Sequence, residues 1–254
     1  MFNHARACRY SAAAFFALLA GLAVAPAQAQ PDYAMLDDLL VSHVQDGFVD
    51  YDGIALDPRL DDFIDQLATT SPEALLRPAD QKAFYINAYN AIAIRGILDG
   101  QSPDSLFGRS RFFKRMRTDV LGESLSLEDI EHERLRKMGD ARIHFAIVCA
   151  SLSCPRLASR AYVPETLDAQ LNSAAEQFLN DPTRNVFDAN RRVAYVSKIF
   201  DWFEEDFVAE SGSLQAYLAR YVTDQDSARV LRADNFEINY REYDWGLNGR
   251  FSGR

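Results

Sequence analysis

Residues 83–91 read Ala83-Phe84-Tyr85-Ile86-Asn87-Ala88-Tyr89-Asn90-Ala91, and they lie within a longer segment, 81–98, that is apolar on nearly every side. A helix that is apolar around its whole circumference is buried at the centre of a domain. Asp80 is a suitable N-cap, and Gly100 follows the last apolar residue. The sequence therefore predicts a buried central helix over 81–98.

Two amides interrupt this apolar helix. Asn87 and Asn90 are three residues apart and share one side of it. A buried amide costs free energy unless it is hydrogen-bonded, and most side-chain hydrogen bonds go to backbone or water. The favoured interpretation is that both amides bind loop backbone. The alternative is that one of them orients a catalytic imidazole.

The order of the predicted elements indicates the fold class. Helices come first, and strands are predicted later, at 112–120, at 143–150, in a hairpin around 188–191 and from Ile238. This order favours an α+β domain over a repeated βαβ array. We predict a single domain in which a helix-rich N-terminal half and the central helix pack on a mixed or antiparallel sheet. A papain-like or transglutaminase-like arrangement is one form of that architecture.

The first 29 residues have the features of an export signal. A basic start precedes the apolar run 12–24, and Ala27-Gln28-Ala29 offers small residues where a signal peptidase cleaves. No later run reaches the roughly 20 apolar residues of a membrane span. We predict a signal peptide over 1–29, one periplasmic domain over 30–254, and no integral membrane span after cleavage. Retention of the N-terminal segment as an anchor is the alternative.

The charge balance bears on possible partners. The formal net charge of −10 becomes −12 when residues 1–29, which hold two arginines and no acidic residue, are removed. Basic clusters such as 109–115 are short and isolated, so no nucleic-acid partner is predicted. No phosphate-binding or dinucleotide motif occurs, and no cofactor is predicted. The substrate or protein partner stays unknown.

Two cysteines lie within the stretch 142–155. We predict a strand that begins near His144 and carries Cys149, followed by a loop that holds Cys154. Side chains alternate along a strand, so Cys149 would face away from His144, whereas the loop could turn Cys154 towards the imidazole. Three roles stay open: a catalytic thiol at Cys154, a Cys149–Cys154 disulfide, or inert packing. The Cys-x4-Cys spacing does not resemble a structural zinc site, and no metal is predicted.

One carboxylate occupies an apolar helix face. Ser126 and Asp129 predict a helix start, and Glu131 falls in the middle of the apolar stripe that follows, while His132 points away from it. A carboxylate in such a position needs a partner or becomes protonated. Arg134 is the favoured partner. A role for Glu131 as acid, base or orienter of an imidazole is the alternative.

Several of these segments occur together in a known family. The stretches 83–91, 126–132, 142–146, 153–155 and 197–207, with a closing Tyr-Asp-Trp at 243–245, resemble the domain of unknown function 547 family from about Asp50 to Asn248. The family has no settled reaction, so the resemblance implies no activity. It implies retention of the polar positions already singled out, which are Asn87, Asn90, Glu131, His132, His144 and Cys154.

Two functions are consistent with these patterns. The first is an exported thiol-dependent hydrolase or acyltransferase, in which Cys154 is the nucleophile, His144 the base, and Asn87, Asn90 or Glu131 the orienting group. The second is a non-catalytic periplasmic binding or envelope-associated module. In that module the same residues form a structural polar network, and Cys149 is disulfide-bonded to Cys154.

Overall fold

The central helix runs from Pro78 to Leu98 in the computed structural model, which describes residues 30–253. It begins three residues earlier than predicted because Pro78 occupies its first turn, where a missing N–H costs nothing. Asp80 then lies within the first turn and accepts a hydrogen bond from the Arg77 N–H at 2.9 Å. The predicted signal peptide, 1–29, lies outside the described residues.

Helices surround the central helix. The described α-helices are α1 Tyr33–His43, α2 Tyr51–Ile54, α3 Arg59–Thr69, α4 Pro78–Leu98, α5 Leu106–Arg109, α6 Leu167–Leu179, α7 Ile199–Trp202, α8 Glu204–Ser211, α9 Leu214–Tyr221 and α10 Gln225–Arg232. The main partners of α4 are α2, α3 and the π-helical segment Asp129–Leu135, so helices cover it where the sequence predicted a sheet.

The strands are short and form small sheets. They are β1 Val44–Gln45, β2 Phe48–Asp50, β3 Thr118–Val120, β4 Glu123–Leu125, β5 Val186–Asp188, β6 Val193–Val196, β7 Glu237–Tyr240 and β8 Gly249–Arg250. Their orders are β1-β2-β8, β3-β4 and β5-β6-β7. The predicted hairpin is the antiparallel pair β5–β6, to which β7 adds in parallel. The α+β class is therefore confirmed, whereas the papain-like or transglutaminase-like arrangement stays a prediction.

Two predicted strands are wrong over most of their length. Ser110–Arg115 is π-helical, and only Thr118–Val120 of the predicted strand 112–120 is extended in a sheet. The stretch around His144 forms the 3₁₀-helix Ala141–Phe145, followed by irregular chain. The Asn90 amide donates to the Ala146 carbonyl at 2.9 Å and accepts from the Val148 N–H at 2.9 Å. A side chain thus provides the hydrogen bonds that a neighbouring strand would have made.

Two groups of buried side chains form the core. The larger one surrounds α4, and the second packs α6 to α10 against Phe145. Tyr243 contacts both groups. No helix among residues 30–253 is long and apolar enough to cross a membrane.

Candidate functional site

A cleft of about 380 Å³ opens where the two parts of the core meet. Its walls come from α4, α7, the π-helical segments, the 3₁₀-helix and the C-terminal chain. We call it the aromatic cleft, and its lining includes Tyr89, Arg109, Phe113, Glu128, Glu131, His132, His144, Cys149, Cys154, Trp202, Phe203, Tyr243 and Trp245. It contains Glu131, His144 and Cys154 of the predicted site residues, but neither Asn87 nor Asn90.

Aromatic rings form one wall of this cleft. The Trp202 and Trp245 rings stack with centroids 5.7 Å apart, and Tyr243 lies against both at 4.7 and 4.5 Å. The Arg109 guanidinium covers the Trp245 ring at 4.5 Å. Such a wall binds flat apolar faces, because aromatic rings attract rings and C–H surfaces with specific geometry.

Glu131 is the buried carboxyl group of the cleft. It lies on the π-helical segment Asp129–Leu135 and is buried. Burial raises the pKa of Glu131 to about 7, although the Tyr89 hydroxyl, 3.4 Å from Oε2, opposes the shift. The prediction that Arg134 pairs with Glu131 is wrong, because Arg134 Nη2 lies 2.8 Å from Glu123 Oε2. Glu131 is therefore a carboxyl group that changes charge near neutral pH.

His144 is held firmly beside Glu131. Its Nε2 lies 2.7 Å from Asp206 Oδ2, and its ring stacks on Phe203 at a centroid distance of 4.0 Å. Burial lowers the pKa of His144, so the ring is neutral at pH 7, although Asp206 opposes the shift. An ionised Asp206 can only accept, so we assign the proton to Nε2. The unprotonated Nδ1 then faces Glu131 Oε1 at 4.0 Å.

An arginine holds the carboxylate behind this histidine. Arg136 Nε lies 2.7 Å from Asp206 Oδ2, and its Nη2 lies 2.8 Å from Oδ1. Burial opposes ionisation, but the hydrogen bonds from His144 and Arg136 hold the pKa of Asp206 below its usual value. Arg136 Nη1 also lies 2.9 Å from His132 Nδ1, and His132 itself lines the cleft.

The sequence did not identify Asp206 or Arg136. Asp206 is 62 residues from His144 and 70 from Arg136 along the chain. It lies in an acidic stretch, Glu204-Glu205-Asp206, where nothing distinguishes it from its exposed neighbours. The available signal was weak: Phe207 is the buried residue of helix α8, and Asp206 directly precedes it.

The two cysteines are bonded to each other. A disulfide joins Cys149 to Cys154, so Cys154 is not a free nucleophile in this structure. The predicted thiol mechanism therefore does not apply to the oxidised protein. Three polar groups lie near the sulfurs. The Cys149 N–H lies 3.0 Å from Cys154 Sγ, and the Tyr243 hydroxyl lies 3.2 Å from Cys154 Sγ and 3.3 Å from Cys149 Sγ. Ser151 Oγ lies 3.2 Å from Cys149 Sγ.

The structure places both central-helix amides on backbone. Asn87 donates to the Tyr162 carbonyl at 2.7 Å and accepts from the Tyr162 N–H at 3.0 Å. Asn90 makes the matching pair of bonds with Ala146 and Val148. Each amide fixes a loop to α4, and neither contacts His144. Asp206, and neither asparagine, is the residue that orients the His144 imidazole.

The Asn90 bonds give a prediction for stability. Replacing Asn90 with alanine leaves a buried carbonyl and a buried N–H without partners. We expect the Asn90→Ala variant to lose about 2 kcal/mol of unfolding free energy, measured by urea denaturation. Alanine at the exposed Asn235 is the matched control and should change stability by less than about 0.5 kcal/mol. Equal effects at the two positions would contradict the role of Asn90.

The cleft residues do not form a metal site. Among residues 30–253, no group of three or more histidine, cysteine, aspartate or glutamate side chains is arranged to hold a metal ion. Hydrogen bonds join His144 to Asp206 and Asp206 to Arg136. Glu131 Oε1 lies 4.0 Å from His144 Nδ1, so the two side chains would have to move closer to exchange a proton directly.

One family model matches part of the chain. Residues 74–179 match the family model described as Protein of unknown function, DUF547. The chain contains a DUF547 domain. Neither a curated protein nor a solved structure matches the chain significantly. The matched segment of the DUF547 domain holds Glu131, His144 and the cystine, whereas Asp206 and the wall formed by Trp202, Tyr243 and Trp245 lie beyond it.

Proposed function

We propose that this DUF547 protein is a hydrolase that acts by general acid–base catalysis on a small molecule with a flat ring face. The observation that carries the proposal is Glu131, a buried carboxyl group with a pKa raised to about 7 in an aromatic cleft. Catalytic acids need a pKa near the working pH, and burial in an apolar cleft is one way to obtain it. The ring would lie on Trp202, Tyr243 and Trp245.

The neighbouring groups support proton transfer at Glu131. Below pH 7 Glu131 holds a proton that it can give to a leaving group, and the neutral His144 presents Nδ1 at 4.0 Å from Oε1. Asp206 and Arg136 fix the orientation of this imidazole. The proposal therefore keeps the hydrolase activity that the first sequence hypothesis predicted. Its nucleophile, Cys154, is replaced in the oxidised protein by acid–base chemistry at Glu131.

A non-catalytic binding module is the second candidate. The disulfide, the amides of Asn87 and Asn90 on backbone, and a His144 side chain only 1% exposed all favour it. In that case the aromatic cleft binds its ligand without changing it. Binding and turnover must therefore be measured on the same compounds.

The periplasm is the location that we propose. The support is the predicted signal peptide together with the Cys149–Cys154 disulfide, because disulfides persist in oxidising compartments. Fractionation of cells that produce the full chain would test the location directly. Recovery in the cytoplasm with both thiols reduced would contradict it.

Tryptophan fluorescence offers a direct test of ligand binding. The chain has two tryptophans, Trp202 and Trp245, and both line the cleft. We expect p-nitrophenyl glycosides or p-nitrophenyl esters to quench this fluorescence saturably and to be hydrolysed. The rate should fall as pH rises through about 7, because the acid form of Glu131 is required. Glu131→Gln should lower the rate at least about a hundredfold without abolishing binding.

Glu176 provides the matched control. It is a solvent-exposed glutamate of α6 that does not line the cleft. Glu176→Gln should leave the rate within about twofold of the parent protein. Quenching without hydrolysis would favour the binding module, and equal rates for Glu131→Gln and the parent would exclude Glu131 as the acid.

A further inference from the structure

The disulfide lies in the wall of the aromatic cleft and plays no part in the proposed acid–base chemistry. Cys149 and Cys154 both line the cleft, beside Tyr243 and the wall of rings. Cys149 is the more exposed of the two, at 8% against 3% for Cys154. A small molecule held against this wall therefore lies next to the disulfide, and Cys149 is the less buried of its two residues.

The hydrogen-bond donors around the two sulfurs are not distributed evenly. Ser151 Oγ donates to the Tyr243 oxygen at 3.0 Å, which leaves the single phenol proton for a sulfur. The Tyr243 oxygen lies 3.2 Å from Cys154 Sγ and 3.3 Å from Cys149 Sγ, so its O–H can donate to either sulfur, whereas the Cys149 N–H donates to Cys154 Sγ, at 3.0 Å. Burial raises the pKa of Tyr243, so the phenol keeps its proton.

Cys154 Sγ has two donors within reach, whereas Cys149 Sγ has only the Tyr243 O–H that both sulfurs share, so the donors favour the charged form of Cys154. Hydrogen bonds to a charged group stabilise it more than they stabilise its neutral form. A thiolate at Cys154 would be stabilised in this way as soon as the S–S bond opens. In thiol–disulfide exchange the better-stabilised thiolate leaves faster. The geometry therefore assigns different roles to the two cysteines.

We propose that the Cys149–Cys154 disulfide is a second reactive site of this cleft, where it oxidises small thiols. A substrate thiolate attacks Cys149 Sγ, a bond forms between these two sulfurs, and the Cys149–Cys154 bond breaks with its electron pair leaving on Cys154. A second substrate thiolate then attacks the substrate sulfur of this mixed disulfide. The products are the substrate disulfide and the protein dithiol. The dithiol carries the two protons that came from the two thiols consumed.

The rate of reduction in the native state tests this proposal. We expect glutathione to reduce the disulfide of the native full chain at least as fast as that of the urea-unfolded chain. Mass spectrometry after acid quenching should find the glutathione adduct on Cys149. Native reduction a hundredfold slower than in urea, or an adduct on Cys154, would overturn the proposal. Peptide mapping separates both cysteines from Cys8.

A variant tests the donor itself. Tyr243→Phe removes the O–H bond to Cys154 Sγ and should slow native reduction by about fivefold. In the reduced chain, iodoacetamide should alkylate Cys154 with a pKa below the ordinary thiol value of about 8.5, and Tyr243→Phe should raise that pKa. Tyr195→Phe is the matched control, because Tyr195 is an exposed residue of β6. An unchanged rate and an unchanged alkylation pKa in Tyr243→Phe would exclude the assigned role.

These outcomes are separate from those of the acid–base hypothesis. Exchange is read from the redox state of Cys149 and Cys154, whereas hydrolysis is read from the release of p-nitrophenol. A protein that hydrolyses its ligand but resists glutathione would refute the reactive disulfide alone.

Discussion

Asp206→Asn is expected to lower the free energy of unfolding by about 3–5 kcal/mol at pH 7. The carboxylate accepts two hydrogen bonds from Arg136 and one from His144, whose side chain is only 1% exposed. Asparagine cannot neutralise the guanidinium, and its NH₂ group would face a donor. The variant therefore leaves a largely buried cation paired only with Glu205, whose side chain is 78% exposed. Urea denaturation followed by circular dichroism measures the loss.

The pH dependence of the same variant gives a second measurement. The pKa of Asp206 is lower in the folded than in the unfolded protein, so its stabilising contribution is present above the unfolded value of about 3.8. That contribution is lost as pH falls through the folded value. We expect the difference in unfolding free energy between the parent protein and Asp206→Asn to be largest at pH 7 and to become smaller below about pH 4.

An ion pair of similar length but greater exposure serves as the control. Asp201 lies 2.6 Å from Lys198, and both side chains are about one third exposed. Asp201→Asn should cost at most about 1 kcal/mol, because solvent screens such pairs. A loss below 1 kcal/mol in Asp206→Asn would show that His144 and Arg136 do not depend on this carboxylate.

The sequence predicts best the elements whose burial is complete. The central helix was predictable because a segment that is apolar on every side has only one stable location in a domain. The interpretation that Asn87 and Asn90 bind loop backbone was equally accessible, since buried amides must be satisfied and backbone is the commonest partner. Both features follow from local composition.

The same reasoning was wrong where a distant side chain replaced a strand neighbour. The apolar run after His144 has the composition of a strand, but Asn90 takes the hydrogen bonds of Ala146 and Val148. Since no strand forms, the alternation that set Cys149 and His144 on opposite faces does not apply. The disulfide was one of three open alternatives because spacing alone does not determine the path of the loop.

The polar centre of the site was only partly predictable. Glu131 and His144 were singled out because polar groups on apolar segments need partners. The partners themselves, Asp206 and Arg136, come from distant parts of the chain, and the expected partner Arg134 pairs with Glu123. Which of several charged residues reaches a buried group depends on tertiary packing, and the local pattern does not contain that information.

Glu131→Gln is expected to remove about 3 kcal/mol of the change in unfolding free energy that the parent protein shows between pH 4.5 and pH 8. The folded pKa of Glu131 is about 7, against 4.5 in the unfolded chain, so the folded protein binds this proton more tightly. The contribution of Glu131 to stability is then full below about pH 4.5 and is lost as pH rises to about 7. Glutamine carries no such proton. The stability of the variant relative to the parent should therefore rise by about 3 kcal/mol between pH 4.5 and pH 8.

Urea denaturation of both proteins across this range isolates the effect, because the other titrating groups are common to both. Glu176→Gln, at an exposed position of α6, is the control, and its difference from the parent should stay within about 0.5 kcal/mol at every pH. A constant difference for Glu131→Gln would mean that the folded pKa of Glu131 is ordinary and would remove the basis of the proposed acid. A rising difference would show a carboxyl group that weakens the fold at neutral pH. Such a cost is characteristic of a residue that serves chemistry at the expense of stability.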